Sequence, residues 1–144
     1  MAPPRKRQAR NGKPRRPEQP VAAIKPARRE TASGWIVAFL NEAVLAEAET
    51  WPTPVRAQLG AIIRKIEADG LMAIPPVYRD HIRGKIWELR PDGMGVEGRA
   101  FYVAVAVKRV VIVLCKIKRR PATPPSWIKL AEARAATIDK EMTE

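Results

Sequence analysis

Two arginines on neighbouring predicted strands are the residues best suited to chemistry in this sequence. Arg90 ends an alternating polar and apolar segment, 85–90 (KIWELR), and Arg99 begins the next β-rich segment, 99–107. A guanidinium group donates two parallel hydrogen bonds to a phosphate and keeps its charge throughout the physiological pH range. We therefore expect both side chains to face one concave surface and to hold a phosphate there. The alternative for Arg90 is a structural ion pair with Glu88 on the same strand face.

A group of cations lies at the end of the last predicted strand, 110–118. Its members, which we call the basic strip, are Lys116, Lys118, Arg119 and Arg120. Positive side chains of this kind contact the phosphate backbone of a nucleic acid regardless of its sequence. We expect the basic strip, together with Lys85, to make such contacts. The alternative is a solvated strand end that discourages pairing with another sheet edge.

The remaining polar and aromatic residues favour structural roles. His81 is the only histidine and lies in a charged stretch, so we expect it at the surface. Trp87 is expected in the core and Glu88 in a salt bridge, while Cys115, the only cysteine, is expected to be a small buried apolar residue. The carboxylates show no spacing typical of metal ligands. We therefore expect no metal and no other cofactor.

The first half of the sequence predicts a short strand followed by two helices. Residues 35–40 (WIVAFL) predict a short strand, and residues 42–49 predict one or two helical turns. A longer helix is indicated by Thr53 as a cap, Pro54 in the first turn and Gly70 at the exit. The apolar residues between them recur with helical spacing and predict one buried face: Val55, Leu59, Ile62, Ile63 and Ile66.

The second half predicts a sheet followed by a helix. Segments 99–107 and 110–118 are separated by only two residues, which indicates a tight hairpin. Ser126 is a natural cap for a last amphipathic helix that ends near residue 141. The fold class predicted is α+β, with a small antiparallel sheet packed by two N-terminal helices and one C-terminal helix.

Charge divides the chain into two parts. The 144 residues carry a net charge of +12, and residues 1–30 alone hold ten basic and two acidic residues, a net charge of +8. The same stretch contains six prolines, which favours a disordered basic tail over residues 1–33 and a domain over residues 34–144. The tail is expected either to contact polyanions or to be a solvated extension. No apolar run approaches the length of a membrane span, so we expect a cytoplasmic protein.

Several motifs in sequence order resemble the phage-derived branch of the RelE/HigB-type toxins of type II toxin–antitoxin systems. The resemblance covers about residues 40–140 and depends on the order of four short motifs. They are residues 87–90 (WELR), Arg99 with Tyr102, Lys118 with Arg119, and Thr123 with Pro124. Leu114 occupies the position where family members often carry a histidine, and Lys116 that of a phenylalanine. The resemblance therefore assigns no general base.

The resemblance implies a metal-independent endoribonuclease that cleaves translated messenger RNA. In such a reaction the 2′-OH attacks the adjacent phosphate, which requires proton removal, charge stabilisation and protonation of the leaving oxygen. The candidate catalytic residues are Arg90, Arg99, Tyr102 and Lys118; Tyr102 would stack on a base or protonate the leaving group, with a core position as its alternative. Lys85, Lys116, Arg119 and Arg120 are the candidate RNA contacts. The partners implied are a helix-turn-helix antitoxin, messenger RNA and the ribosome, with no membrane and no small-molecule cofactor.

Two other functions stay open at this point. The first is a binding module without catalytic activity, comparable to ParE-type gyrase inhibitors, which resemble RelE in fold and act on a protein target. The second is a nucleic-acid-binding accessory protein whose function resides in the basic tail.

Overall fold

The computed structural model describes residues 30–142, so residues 1–29 of the predicted basic tail lie outside the described part. These described residues fold into three α-helices and six β-strands, which confirms the α+β class. The helices are α1 (Glu42–Glu49), α2 (Thr53–Asp69) and α3 (Pro125–Met142). The strands are β1 (Ile36–Phe39), β2 (Arg79–Arg83), β3 (Ile86–Leu89), β4 (Asp92–Gly93), β5 (Val96–Val105) and β6 (Arg109–Lys118).

The strands form one sheet around a long central hairpin. The order across the sheet is β1-β6-β5-β3-β2, and β4 pairs with β5 beside this path. The hairpin of β5 and β6 is antiparallel, as predicted from the two adjacent β-rich segments. The pairing of β1 with β6 is parallel and extends only from Arg109 to Ile112, so the sheet is mixed.

The first two helices form as their local sequence predicts. The side chain of Asn41 accepts a hydrogen bond from the Val44 amide at 3.1 Å, which caps α1. Helix α2 has a proline in its first turn and ends at Gly70, whose φ of 102° suits a residue without Cβ. The prediction of Thr53 as the cap is wrong, because the N-cap residue is Pro52 and no side chain caps this end.

The sheet separates two hydrophobic clusters. The face toward α1 and α2 carries Val37, Phe39, Leu89, Ala100 and Tyr102, against which the predicted stripe of α2 packs. The opposite face carries another set, which packs against α3: Ile86, Phe101, Val103, Val111, Val113 and Leu114. We call these the α1/α2 face and the α3 face.

Besides the parallel pairing of β1, two features of the sheet differ from the sequence-based expectation. Strand β2 was not predicted, because residues 79–83 (RDHIR) carry three charges and no residue of this strand is fully buried. The pairing of β5 and β6 shifts register between Phe101 and Tyr102, because Val113 is the extra residue of a bulge in β6. Within residues 30–142, none of the helices combines the length and the apolar composition needed to cross a bilayer.

Candidate functional site

Arg90 and Arg99 lie on the same face of the sheet, the α3 face. Glu88 stands opposite Phe101 in the pairing of β3 with β5. Arg99 lies two residues before Phe101 in β5 and therefore shares its face. Arg90 comes directly after β3 and reaches back to Glu88, with its Nε 2.7 Å from Glu88 Oε2. Because alternate residues of a strand share a face, Glu88, Arg90 and Arg99 project to the same side of the sheet.

Glu88 joins the two arginines from a buried position. Its side chain is 1% exposed, and its Oε1 lies 3.5 Å from Arg99 Nε while its Oε2 accepts from Arg90. The contact with Arg99 is an ion pair without hydrogen-bond geometry. The structural salt bridge predicted for Glu88 is therefore present, and so is the alternative considered for Arg90.

Two further carboxylates complete this group, which we call the arginine–carboxylate cluster: Asp80, Glu88, Arg90, Glu97 and Arg99. Asp80 Oδ2 accepts from Arg90 Nη2 at 2.8 Å, and Glu97 Oε1 accepts from Arg99 Nη2 at 3.1 Å. Three carboxylates thus surround two guanidinium groups. The carboxylates fix the orientation of both arginines before any ligand binds.

The two arginines differ in what they can offer a ligand. Arg99 is 6% exposed, and its Nη1 donates to the Gly98 carbonyl at 2.8 Å, so all three of its nitrogens are in contact with acceptors. The side chain of Arg90 is 36% exposed. Its Nη1 donates to no atom among residues 30–142. Arg90 is therefore the arginine that can present hydrogen-bond donors to a phosphate, with Arg99 as a buried positive charge behind it.

Lys116 adds a cation on β6 beside the arginine–carboxylate cluster. It stands directly opposite Arg99 in the sheet, and its Nζ lies 5.9 Å from the centre of the Trp127 ring on α3. Trp127 in turn meets Phe101 edge-on, with 6.4 Å between ring centres. Lys116 is thus held between the cluster and α3 by a cation–π contact.

The rest of the basic strip lines open cavities at the end of β6. A cavity of about 500 Å³, which we call the groove, runs beside the strand between the end of α1 and the start of α3, with Trp51 and Trp127 on its two sides. A second cavity of about 350 Å³ lies beside Glu97. Lys118, Arg119 and Arg120 line both. None of these three cations has a carboxylate within ion-pair distance in the described part of the chain.

Tyr102 is not part of this arrangement, which corrects its expected role beside Arg99. It lies on the α1/α2 face, opposite Trp87, and is 1% exposed in the core with Leu89 and Ala100. Its hydroxyl has no hydrogen-bond partner among the described residues. Burial raises the pKa of Tyr102, although the nearby Arg79 guanidinium acts in the opposite direction. A hydroxyl with a raised pKa behind the sheet cannot reach a phosphate held on the α3 face.

Lys85 is also separated from the site. It lies in the exposed turn between β2 and β3, at the end of β3 opposite to Arg90. His81 is exposed, as predicted, and its ring lies 4.8 Å from that of Trp87. Trp87 packs against the core from a partly buried position, consistent with the expectation of a core residue.

The sequence did not point to four residues that the structure places at the site. They are Asp80, Glu97, Trp51 and Trp127. Glu97 precedes Arg99 by two residues, a same-face spacing that was available in the sequence. Asp80 reaches Arg90 only through the pairing of β2 with β3. Trp51 meets the groove from the connection between α1 and α2, and Trp127 from α3, so local spacing carries no signal for them.

Metal-ligating side chains do not gather at this site. Among residues 30–142, no three His, Cys, Asp or Glu side chains come together in an arrangement that could hold a metal ion. Cys115 borders the groove from the core, and burial raises the pKa of its thiol well above the usual range. Its sulfur therefore stays protonated and is a poor nucleophile.

One comparison with known proteins gives a match over most of the chain. Residues 46–136 match the family model described as Phage derived protein Gp49-like (DUF891). The matched range runs from α1 to α3 and includes the whole arginine–carboxylate cluster and the basic strip. No curated protein matches the chain.

Proposed function

The chain belongs to the Gp49-like family of phage-derived proteins, and from this we propose that it is the toxin of a toxin–antitoxin pair, an endoribonuclease that cuts translated messenger RNA. The observation that carries the proposal is the placement of Arg90, Arg99 and Lys116 on one sheet face, continuous with three unpaired cations around an open groove.

The cations supply the charge stabilisation that the reaction needs. When the 2′-OH attacks, negative charge grows on the non-bridging oxygens of the phosphate. Arg90 presents its free Nη1 donors to these oxygens, and the buried Arg99 adds a fixed positive charge from beneath. Because the carboxylates already orient both side chains, little reorganisation is needed when the transition state forms.

Lys118 is the proposed general acid: its ammonium group donates a proton to the leaving 5′-oxygen, and the proton of the attacking 2′-OH passes to solvent water. It lies at the end of β6, borders both cavities and is free of ion pairs in the described residues. Arg119 and Arg120 beside it hold the RNA backbone on either side of the scissile bond. Tyr102 takes no part in the proposed chemistry, since it lies behind the sheet.

The proposal is tested by mapping RNA 5′ ends after brief induction of the full chain in cells. We expect new ends within translated messages for the wild type and a loss of roughly 100-fold in cleavage for Arg90→Ala, as for other lost charge-stabilising donors. The matched control is Arg83→Ala, which removes an exposed arginine that is ion-paired to Glu132 at 2.8 Å, away from the groove. Equal cleavage by the wild type and Arg90→Ala would contradict the proposal.

A binding module without catalytic activity is the second candidate, and one observation favours it. Two of the three Arg99 nitrogens donate hydrogen bonds within the protein and the third is ion-paired with Glu88, and three carboxylates surround the two arginines. Such saturation is typical of a structural cluster as well as of a preorganised site. Growth arrest with intact messages and stalled replication would select this function.

A further inference from the structure

The main-chain edge of β6 remains open beside the basic strip. Strand β1 pairs with β6 only as far as Ile112, whereas β6 continues to Lys118. No described strand pairs with this side of residues 113–118, which we call the open edge. The larger cavity runs along it.

The first groups of the open edge are satisfied by side chains rather than by a strand. Glu47 Oε1 accepts from the Cys115 amide at 3.0 Å, and Arg134 Nη1 donates to the Val113 carbonyl at 2.9 Å. Glu47 and Arg134 also pair with each other at 2.9 Å. Helices α1 and α3 thus close the edge as far as the Cys115 amide and no further.

The next outward-facing groups belong to Ile117. Because the Cys115 amide points away from β5, the amide and carbonyl of Ile117, two residues later, point the same way. The opposite strand agrees, since the Gly98 amide, which faces Ile117 in the register, donates to the Pro91 carbonyl and not to β6. Ile117 therefore presents one donor and one acceptor to the groove, and the Cys115 carbonyl adds a second acceptor.

The charges around the open edge are positive. Lys116 and Lys118 flank Ile117 on the α3 face, and Arg119 and Arg120 follow. The only carboxylate among the residues that line the larger cavity is Glu47, which is already paired with Arg134. An acidic occupant complements this surface.

From these features we infer that the open edge of β6 takes up a short, acidic, extended segment of a partner protein as an added β-strand. A peptide offers donors and acceptors in alternation, so it satisfies both groups of Ile117 and leaves its acidic side chains beside Lys116 and Lys118. The phosphate backbone of RNA fits the edge less well, because phosphate oxygens only accept hydrogen bonds and cannot satisfy the carbonyls of Cys115 and Ile117. In the context of the proposed function, this partner would be the antitoxin, and the segment would exclude RNA from the groove.

The test uses the full ¹⁵N-labelled chain and a synthetic probe, the capped peptide acetyl-Glu-Val-Glu-Val-Glu-amide. We expect the peptide to shift the Ile117 amide resonance and to slow its hydrogen exchange. The Lys116 amide, which points into the β5–β6 ladder, should already be protected without the peptide. No effect on the Ile117 amide at millimolar peptide would overturn the inference.

Two N-methylated derivatives of the peptide separate strand pairing from simple charge attraction. One is methylated on the amides of both valines and the other on the amides of all three glutamates, and only one set of amides can face β6. Strand addition predicts that one derivative loses binding and the other keeps it. If both bind as well as the parent peptide, the contact is electrostatic and the inference fails.

A matched pair of protein variants tests the edge itself. Ile117→Pro removes the outward amide and leaves the β5–β6 ladder intact, since proline is tolerated where the N–H faces away from the sheet. We expect about tenfold weaker peptide binding, the cost of one lost hydrogen bond, whereas Ile117→Ala keeps the amide and changes binding little. The β5 and β6 amide resonances report whether each variant is folded.

A single-stranded hexauridylate is the competing probe. If this RNA shifts the Ile117 amide and the peptide does not, the edge binds nucleic acid and the inference is wrong. The binding data do not depend on RNA cleavage, so a protein without nuclease activity that still binds the peptide would refute the proposed function alone.

Discussion

The two faces of the sheet carry different kinds of residues over the same strands. The α1/α2 face is apolar where it packs on the two helices, with Ala100, Tyr102, Ile112 and Cys115 in one cluster. The α3 face is apolar near the β5–β6 turn, but toward the other end of the strands it carries Glu88 and Arg99 in buried positions. One face is a conventional core, and the other changes from a core to an ionic site.

The difference has an energetic meaning. Burial of apolar side chains lowers the free energy of the folded state, whereas a buried ion pair often contributes little because both ions lose their hydration. A chain that needed only a core would therefore place apolar residues at positions 88 and 99. Here Glu88 instead pairs with Arg90 at 2.7 Å and lies 3.5 Å from Arg99, so the buried charges fix the orientation of Arg90.

The largest expected effect comes from removing the buried carboxylate of Glu88 from the arginine–carboxylate cluster. Glu88→Ala leaves the buried Arg99 without one of its counter-charges, and we expect the free energy of unfolding to fall by about 3 kcal/mol. Urea denaturation measures the change, and Glu88→Gln, which keeps the volume, provides a folded comparison. The control is Glu132→Ala at the exposed pair with Arg83, where we expect little change. Equal effects at the two sites would show that the cluster is not a buried unit.

The next effect tests the crowding of the apolar face. A Cβ at Gly98 would lie 2.9 Å from two ring carbons of the buried Trp51 and 2.9 Å from Val55 Cγ1. We expect Gly98→Ala to lower the free energy of unfolding by about 2 kcal/mol through overpacking. Gly60→Ala on α2 is the control, because its Cβ meets only the flexible end of Arg64, and helix propensity then favours alanine. A neutral Gly98→Ala would mean that this face is loosely packed.

The smallest effect concerns Tyr102, and it tests whether this tyrosine is a core residue or a catalytic one. Burial raises the pKa of Tyr102 above its usual value of 10.0, so the folded state resists loss of the proton. Stability from this group is fully present below pH 10 and is lost as pH rises toward the folded pKa. The Tyr102→Phe variant should therefore lose less stability than the wild type between neutral pH and pH values above 10.

RNA cleavage by Tyr102→Phe completes this comparison. We expect cleavage at neutral pH to equal that of the wild type, because the hydroxyl lies on the α1/α2 face away from Arg90. A large loss of cleavage in a variant of unchanged stability would place Tyr102 in the chemistry after all.

The sequence predicts those features that depend on local spacing. Helix α2 was predicted from its stripe and its proline, since a helix face repeats every three to four residues. The common face of Arg90 and Arg99 followed from two adjacent strands. The same rule already argues against Tyr102, because residues three apart on a strand lie on opposite faces, and Arg99 and Tyr102 are three apart.

The features that were missed depend on pairing between distant segments. Val110 and Ile112 point to the α1/α2 face, so strict alternation along β6 would put Lys116 there as well. The bulge opposite Phe101 and Tyr102 reverses the alternation and moves Lys116 to the α3 face beside Arg99. The parallel pairing of β1 and the contact of Asp80 with Arg90 likewise arise only when the sheet has formed.

The chemistry of the RNA ends tests the central claim most directly. The purified full chain is added to translating ribosomes on a defined message, and the cleaved ends are analysed. Attack by the 2′-OH on the phosphate held by Arg90 predicts a 2′,3′-cyclic phosphate on the upstream fragment and a 5′-OH on the downstream one. Fragments that carry a 3′-OH and a 5′-phosphate, or a message that stays intact, would contradict the account.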